Sequence, residues 1–322
     1  MKVKVLFPGL LFLIVFGFFG GIEPSWAKYP DKKIQFIAAF EPGGGSDLVA
    51  RTLVRYANPF LGGRIFVENI VGGAGSIGFR AGAKADPDGY SLTMIVTSLT
   101  VGPHVTKGFP SYDLFDPICI VAQDSTMLSV KMDSAYQTAA SLIAYAKKDP
   151  DAVNVAVSGI GTPNYLSTAA FADAAGVKFT LIPYKGTNPA LLAAMGGHVV
   201  AAGSGCSEGL TFVEGKKLKP LVVYGHKRNR LYPDVPTAKE VGYDVSVYQW
   251  RGVGVPRGTP PEIKKTLVDA FRKATENESY KKTMDQMGLE RVFFGPEESG
   301  PWLKAQFDLF KKTATKMGIE PQ

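Results

Sequence analysis

The segment Phe40-Glu41-Pro42-Gly43-Gly44-Gly45-Ser46-Asp47 sets three glycines and a hydroxyl directly ahead of Val49, Ala50, Leu53, Val54 and Ala57, which share one helical face. A helix start leaves N–H groups unpaired and carries partial positive charge, and glycine lets a ligand approach that backbone closely. Such a turn is therefore suited to an anion. The segment Ser158-Gly159-Ile160-Gly161-Thr162-Pro163-Asn164 has the same ingredients. Thr162 is a strong N-cap and Pro163 a fitting first helical residue, because the N–H it lacks would have no intrahelical acceptor. A phosphate is one candidate anion, but the pattern G-x-x-x-x-G-K-[ST] is absent and no lysine follows Gly45. A carboxylate fits better. Ser46 or Asp47 is the expected cap of the first helix.

Other residue patterns point to rival chemistries. Gly73-Ala74-Gly75-Ser76-Ile77-Gly78 fits G-x-G-x-x-G, yet the next strand ends at Val96-Thr97 without the acidic residue that a dinucleotide ribose needs. Gly205-Cys206-Ser207-Glu208-Gly209 fits G-x-S-x-G, which makes a secreted serine esterase with Ser207 as nucleophile the sharper rival. Its weakness is spacing: the one histidine downstream is His226, and an acid and a histidine would both have to fall between Ser207 and His226. His104, His198 and His226 show no metal-ligand spacing, so no metal or other cofactor is expected. Cys119 and Cys206 lie among apolar or small residues, where buried free thiols are favoured over a pairing that remains open.

The elements around these turns alternate strand and helix. Strands are expected at Ile34 to Phe40, Ile65 to Glu68, Ser91 to Val96, Ile118 to Val121, Val153 to Val157, Phe179 to Tyr184, Leu218 to Tyr224 and Val245 to Val255. Helices follow the glycine turns, run from about Ala139 to Lys147, and close the chain over Pro261 to Glu276 and Pro296 to Met317. In Lys185-Gly186-Thr187-Asn188-Pro189 a cap again precedes a proline, and Gly196-Gly197 ends the short helix that follows. Such alternation predicts an α/β fold of parallel or mixed sheets, whose ligands bind outside the carboxyl ends of the strands. Thr97-Ser98 stands at one such end.

The 322 residues carry 36 Lys+Arg against 29 Asp+Glu, a net charge of +7 spread along the chain, which excludes the clustered basic stripe of a nucleic-acid binder. Lys2 and Lys4, the apolar run Leu6 to Phe19 and the small residues of Ser25-Trp26-Ala27 read as a secretory signal over residues 1–27, cleaved near Ala27. The run of about 14 residues is too short for a bilayer span of ~20. Its removal leaves 34 basic against 28 acidic residues, net +6. The expected product is an exported, soluble protein.

Taken as an ensemble, these turns resemble the tripartite tricarboxylate transporter substrate-binding proteins, the Bug-type periplasmic receptors. The resemblance is carried by Ala39 to Asp47 with Val49-Ala50-Arg51, by Val67-Glu68-Asn69, Gly73-Ala74-Gly75 and Asp86-Pro87-Asp88-Gly89-Tyr90, and by Ile182-Pro183-Tyr184-Lys185-Gly186. Further on it continues in Gly196-Gly197-His198-Val199, Pro233-Asp234-Val235-Pro236-Thr237 and Pro256-Arg257-Gly258-Thr259-Pro260-Pro261. It implies a type II periplasmic binding protein fold: two α/β lobes with a ligand cleft between them, in the manner of a Venus flytrap. Residues 28–124 and 248–322 would form a discontinuous first lobe and 125–247 the second. It implies a monomer that binds a small carboxylate and hands it to a two-subunit membrane permease, without catalysis.

Carried over by position, the first-lobe contacts are Phe40, Gly43, Gly44, Gly45, Ser46 and Asp47, with Thr97 and Ser98 nearby. The second-lobe contacts are Ser158, Gly159, Gly161, Thr162 and Asn164. Two positions depart from the family pattern: Glu41 stands where a small residue or proline is usual, and Val200 replaces an aspartate, which would make the second-lobe wall more apolar. Micromolar capture needs about 8 kcal/mol, and hydrogen bonds to a charged group contribute roughly 1.5–3 kcal/mol each. Four to six converging donors would suffice after ordering costs and a single loop would not, so closure of the second lobe on the ligand is expected. Lys185 and Arg251 are candidate cationic contributors, each with an equally available structural role as a solvated lysine or a hinge arginine.

Overall fold

Residues 29–316 and 318–321 are described in the computed structural model, so the expected signal over 1–27 lies outside the described residues. The chain begins with β1 (Ile34–Ala38), α1 (Gly45–Ala57), β2 (Ile65–Asn69), α2 (Ser76–Lys84), β3 (Ser91–Val96) and the single turn α3 (Ser98–Val101). It then runs through the long β4 (Phe115–Lys131) into α4 (Ala139–Lys148), β5 (Asn154–Val157), α5 (Pro163–Ala174), β6 (Thr180–Pro183) and α6 (Thr187–Met195). After β7 (Ala201–Gly205), α7 (Leu210–Glu214) and β8 (Leu218–Tyr224) it returns through β9 (Tyr248–Pro256), and ends with α8 (Pro261–Glu276), α9 (Glu278–Gln286), β10 (Glu290–Phe294) and α10 (Pro296–Lys316).

Local rules explain most of these elements. β1 is a nearly continuous buried run, the pattern of a parallel strand covered on both faces. α1 buries Val49, Ala50, Leu53, Val54 and Ala57 along one stripe. Thr162 caps α5 by accepting the Tyr165 N–H, with Pro163 in the first turn. Elsewhere glycine takes the cap: Gly44 precedes α1 and Gly186 precedes α6, where Ser46 or Asp47 and Asn188 were expected. Asp47 falls in the first turn, where its charge opposes the positive helix end.

β4 organises the molecule. Its first part, Phe115 to Ser125, pairs antiparallel with β9, and β10 lies on its other edge. Its last part, Thr126 to Lys131, pairs antiparallel with β7 and β8. β2, β1 and β3 run parallel and join β9 through β3, while β7, β5 and β6 run parallel on the far side. Two mixed sheets therefore share one strand. Sequence patterning finds Ile118 to Val121 but not the rest of this 17-residue strand, because Gln123-Asp124-Ser125-Thr126 breaks the apolar run at the crossing.

Each sheet has its own core. Phe36, Leu53, Phe79, Trp250, Phe271 and Leu303 pack in the first, and Leu128, Val155, Leu166, Phe171, Tyr224 and Phe310 in the second. α10 serves both, burying Leu303 in one and Phe310 in the other, and Lys316 near its end reaches Asp173 of α5 at 2.7 Å. Cys119 and Cys206 are buried free thiols, and burial raises both above the usual thiol range.

Candidate functional site

The two glycine-rich turns follow β1 and β5, at the carboxyl ends of parallel strands in their respective sheets. In the first, the Gly43 N–H donates to Asp47 Oδ2 at 2.9 Å, Asn69 Nδ2 donates to Asp47 Oδ1 at 2.8 Å, and Arg51 Nε lies 3.0 Å from both carboxylate oxygens. Burial works to raise the Asp47 carboxyl, but these hydrogen bonds together hold it below the usual carboxylate range. Asp47 is thus a staple of the turn, its oxygens already occupied. Phe40 packs edge-on against Phe79 with ring centroids 6.0 Å apart, and its carbonyl accepts from Asn69 Nδ2. Gly43 has φ +78°, the left-handed conformation that the tight turn requires and that glycine adopts without strain. Gly44, Gly45 and Ser46 then present the helix start, and the Glu41 side chain is exposed.

The second turn is held by its own hydroxyls. Thr162 Oγ1 donates to the Gly159 carbonyl at 2.9 Å, Ser158 Oγ donates to Thr162 Oγ1 at 3.2 Å, and Asn164 Nδ2 donates to Ser158 Oγ at 2.9 Å. Gly159 and Gly161 both have positive φ. A Cβ on Gly161 would lie 2.5 Å from Val105 Cγ2, so this turn meets the segment after α3 at close range.

β9 joins the two turns. Successive strand residues face opposite ways, so Gln249 and Arg251 share one face while Trp250 between them is fully buried in the first core. Gln249 Nε2 donates to Asn164 Oδ1 at 2.8 Å and lies 3.1 Å from Glu208 Oε2. Arg251 Nη2 lies 2.8 Å from where a Cβ on Gly45 would stand. Two residues along a strand rise about 7 Å, so Gln249, bonded to the second turn, and Arg251, lying on the α1 start, leave neighbouring positions on one face of β9. Thr97 fixes this strand: its Oγ1 accepts the Trp250 N–H at 2.7 Å. Its hydroxyl is taken up by that role, whereas Ser98 follows as a buried residue at the start of α3.

Asp124, which sequence patterning does not single out, lies opposite Gln249 and is 1 % exposed. It accepts from the Ser207 N–H at 3.0 Å and from Ser207 Oγ at 2.6 Å. Burial pushes its carboxyl up to about 7; the Ser207 hydrogen bond and the Arg251 charge work against that rise, and Glu208 adds to it. Glu208 in turn accepts the Gly205 N–H at 2.8 Å. This arrangement does not make Ser207 a nucleophile. Its hydroxyl donates to a carboxylate, its backbone is not among those with positive φ, and the exposed His226 packs on Tyr248 with ring centroids 5.7 Å apart.

Lys185 is exposed beyond β6. Val200 does not line the site as expected: its N–H bonds to Asn154 Oδ1 at 2.7 Å, at the start of β5. The Ser158 turn leaves the other end of that strand, about 13 Å away at the rise of a β-strand. Among the described residues no cluster of His, Cys, Asp and Glu is placed to hold a metal, and no helix is long and apolar enough to cross a membrane.

Comparison with known proteins places this geometry in context. Residues 49–303 match the family described as the tripartite tricarboxylate transporter family receptor. A Cupriavidus necator protein named "UPF0065 protein in gbd 5'region" is 31 % identical over 294 residues, which cover 91 % of this chain and 89 % of that one. The solved structure of the periplasmic binding protein BugD is 30 % identical, with a TM-score of 0.82, over 91 % of this chain and all of BugD. Rpa4515 of R. palustris, solved with adipate, is 26 % identical with a TM-score of 0.84 over 91 % of this chain and 100 % of that one. The fold is accordingly the two-lobed α/β fold of periplasmic binding proteins.

Proposed function

The chain belongs to the tripartite tricarboxylate transporter receptor family, and on that basis we propose that it is an extracytoplasmic receptor for a small carboxylate. It captures the acid between the Gly43 to Ser46 and Ser158 to Asn164 turns and delivers it to a two-subunit membrane permease. The observation that carries this reading is the shared face of β9, from which Gln249 holds Asn164 of one turn and Arg251 lies on the Gly45 start of the other. The adipate in the Rpa4515 structure supports a carboxylic acid as the ligand class.

Capture follows from what these residues do. The α1 start offers backbone N–H groups and partial positive charge to one carboxylate. The second turn, stiffened by Ser158, Thr162 and Asn164, approaches over the β9 face and excludes water, which strengthens each charge-assisted hydrogen bond. Closure is a rotation of one half against the other where β4 changes partners, between Ser125 and Thr126, and where β9 begins. The lobes are then 28–124 with 248–322 and 125–247, and the protein acts as an exported monomer in the periplasm.

The test is thermal melting of the purified chain against mono-, di- and tricarboxylates, aromatic acids and amino acids. A ligand at a hundred times its Kd stabilises by about 2.7 kcal/mol, which raises Tm by several degrees in a concentration-dependent way. A flat response across the whole series refutes the reading.

A further inference from the structure

Arg251 stands in the middle of a sheet, opposite Val96 of β3 on one side and Ala122 of β4 on the other. It is 4 % exposed, yet among the described residues Nε and Nη1 have no hydrogen-bond partner. A guanidinium in such surroundings is expected to be paired, because removing one partner of a buried ion pair leaves a costly uncompensated charge. Asp124, the acid on which the Arg251 charge acts, takes its hydrogen bonds from Ser207, while Asp47 is held by Gly43, Arg51 and Asn69 and Glu208 by Gly205 and Gln249. None of them forms an ion pair with Arg251.

The third nitrogen makes the situation sharper. Nη2 lies against Gly45, the first residue of α1, so closely that a Cβ there would be 2.8 Å away. A cation and the positive end of a helix are thus pressed together, an arrangement that is unfavourable unless both share an anion set beside them. The planar fork of a guanidinium matches the two oxygens of a carboxylate, and the α1 amides supply further donors to the same group.

We propose that Arg251 is a direct carboxylate anchor: its guanidinium and the Gly45 start of α1 together grip one ionised carboxylate of the ligand. The inference rests on the receptor reading above and adds to it that recognition depends on the charge of that group. The acid must be ionised, an uncharged isostere is rejected, and the rest of the ligand extends along β9 toward Gln249 and Asn164.

The experiment pairs each acid with its amide: succinate with succinamide, adipate with adipamide, benzoate with benzamide. Calorimetric titration of the full exported chain gives the affinity ratio within each pair for the wild type, Arg251→Gln and Arg251→Lys, and melting without ligand gives their stabilities. The wild type is expected to prefer the acid of at least one pair by a hundredfold or more. In Arg251→Gln that preference falls at least tenfold, while the ligand-free Tm is unchanged or higher, because an unpaired cation has been removed. Arg251→Lys, which keeps the charge without the fork, falls between them.

An acid bound equally well by wild type and Arg251→Gln overturns the anchor and leaves the receptor reading standing. A Tm several degrees lower in Arg251→Gln, or failure of both variants to fold, also overturns it by showing the arginine to be structural. A wild type that binds none of the acids, or favours none over its amide, removes charge recognition of these acids and the anchor with it; only a flat response in the wider melting series also removes the receptor reading.

Discussion

Replacing Gly45 by alanine should separate stability from binding, because the methyl group meets the guanidinium and little else. The added Cβ would lie 2.8 Å from Arg251 Nη2, 3.5 Å from Cζ and 3.7 Å from Nε. Gly45 is helical rather than left-handed, so alanine fits its backbone without strain. Exchange of a helical glycine for alanine removes up to about 1 kcal/mol of entropic penalty. Against this stands one short contact with the end of a side chain, relieved when the guanidinium retreats by roughly half an ångström to an ordinary separation. The ligand-free fold should therefore be as stable as wild type, or more stable by up to about 1 kcal/mol, in urea denaturation. Binding should respond differently. A guanidinium displaced from the helix start loses a charge-assisted hydrogen bond of about 1.5–3 kcal/mol, a rise in Kd of roughly 10- to 150-fold by titration calorimetry. Equal affinity in wild type and Gly45→Ala would refute the reasoning, since the close approach at this position would then serve nothing in the site.

Further outcomes follow from neighbouring contacts. Thr97→Val strips the Trp250 N–H of its acceptor and should cost about 1–3 kcal/mol in urea denaturation, whereas Thr97→Ser keeps the hydroxyl and should recover most of it. The Asp124 carboxyl is raised to about 7 in the fold, so the folded chain retains a proton that the unfolded chain releases above about pH 4. Its contribution to stability is complete below that point and is lost as the pH climbs to about 7. The difference in Tm between wild type and Asp124→Asn should shift across this window and level off above it; a difference independent of pH would refute that protonation behaviour. Ser207→Ala should leave aryl-ester hydrolysis unchanged at the level of buffer alone, and a wild-type activity abolished by this substitution would restore the esterase reading.

The parts legible in the sequence are those decided within one element. Thr162 and Pro163 announce the start of α5 by local rules, and the glycines of both turns mark where the backbone must bend sharply. The two-lobed fold is legible through the family pattern, which matches over residues 49–303 and is shared with BugD over 91 % of the chain. What escaped is what depends on crossings. The chain around Asp124 looks like the end of a strand until β9 is laid against it, and Gln249 reaches an asparagine 85 positions away. Arg251 was visible as a candidate cation, but its want of partners is a property of packing that spacing does not convey. Position in the family pattern makes Asp47 and Thr97 ligand contacts, yet both spend their side chains holding the frame. The family pattern points Val200 to the second-lobe wall, because the parallel pairing that puts it at the opposite end of β5 is invisible along the chain.

Because α10 has Leu303 seated in one core and Phe310 in the other, it spans the joint like a tie-rod. Prising the halves straight apart would drag Phe310 into water, at about 1.5–3 kcal/mol for a side chain of this kind. Any movement of one half against the other is therefore held to displacements small enough to keep both side chains seated.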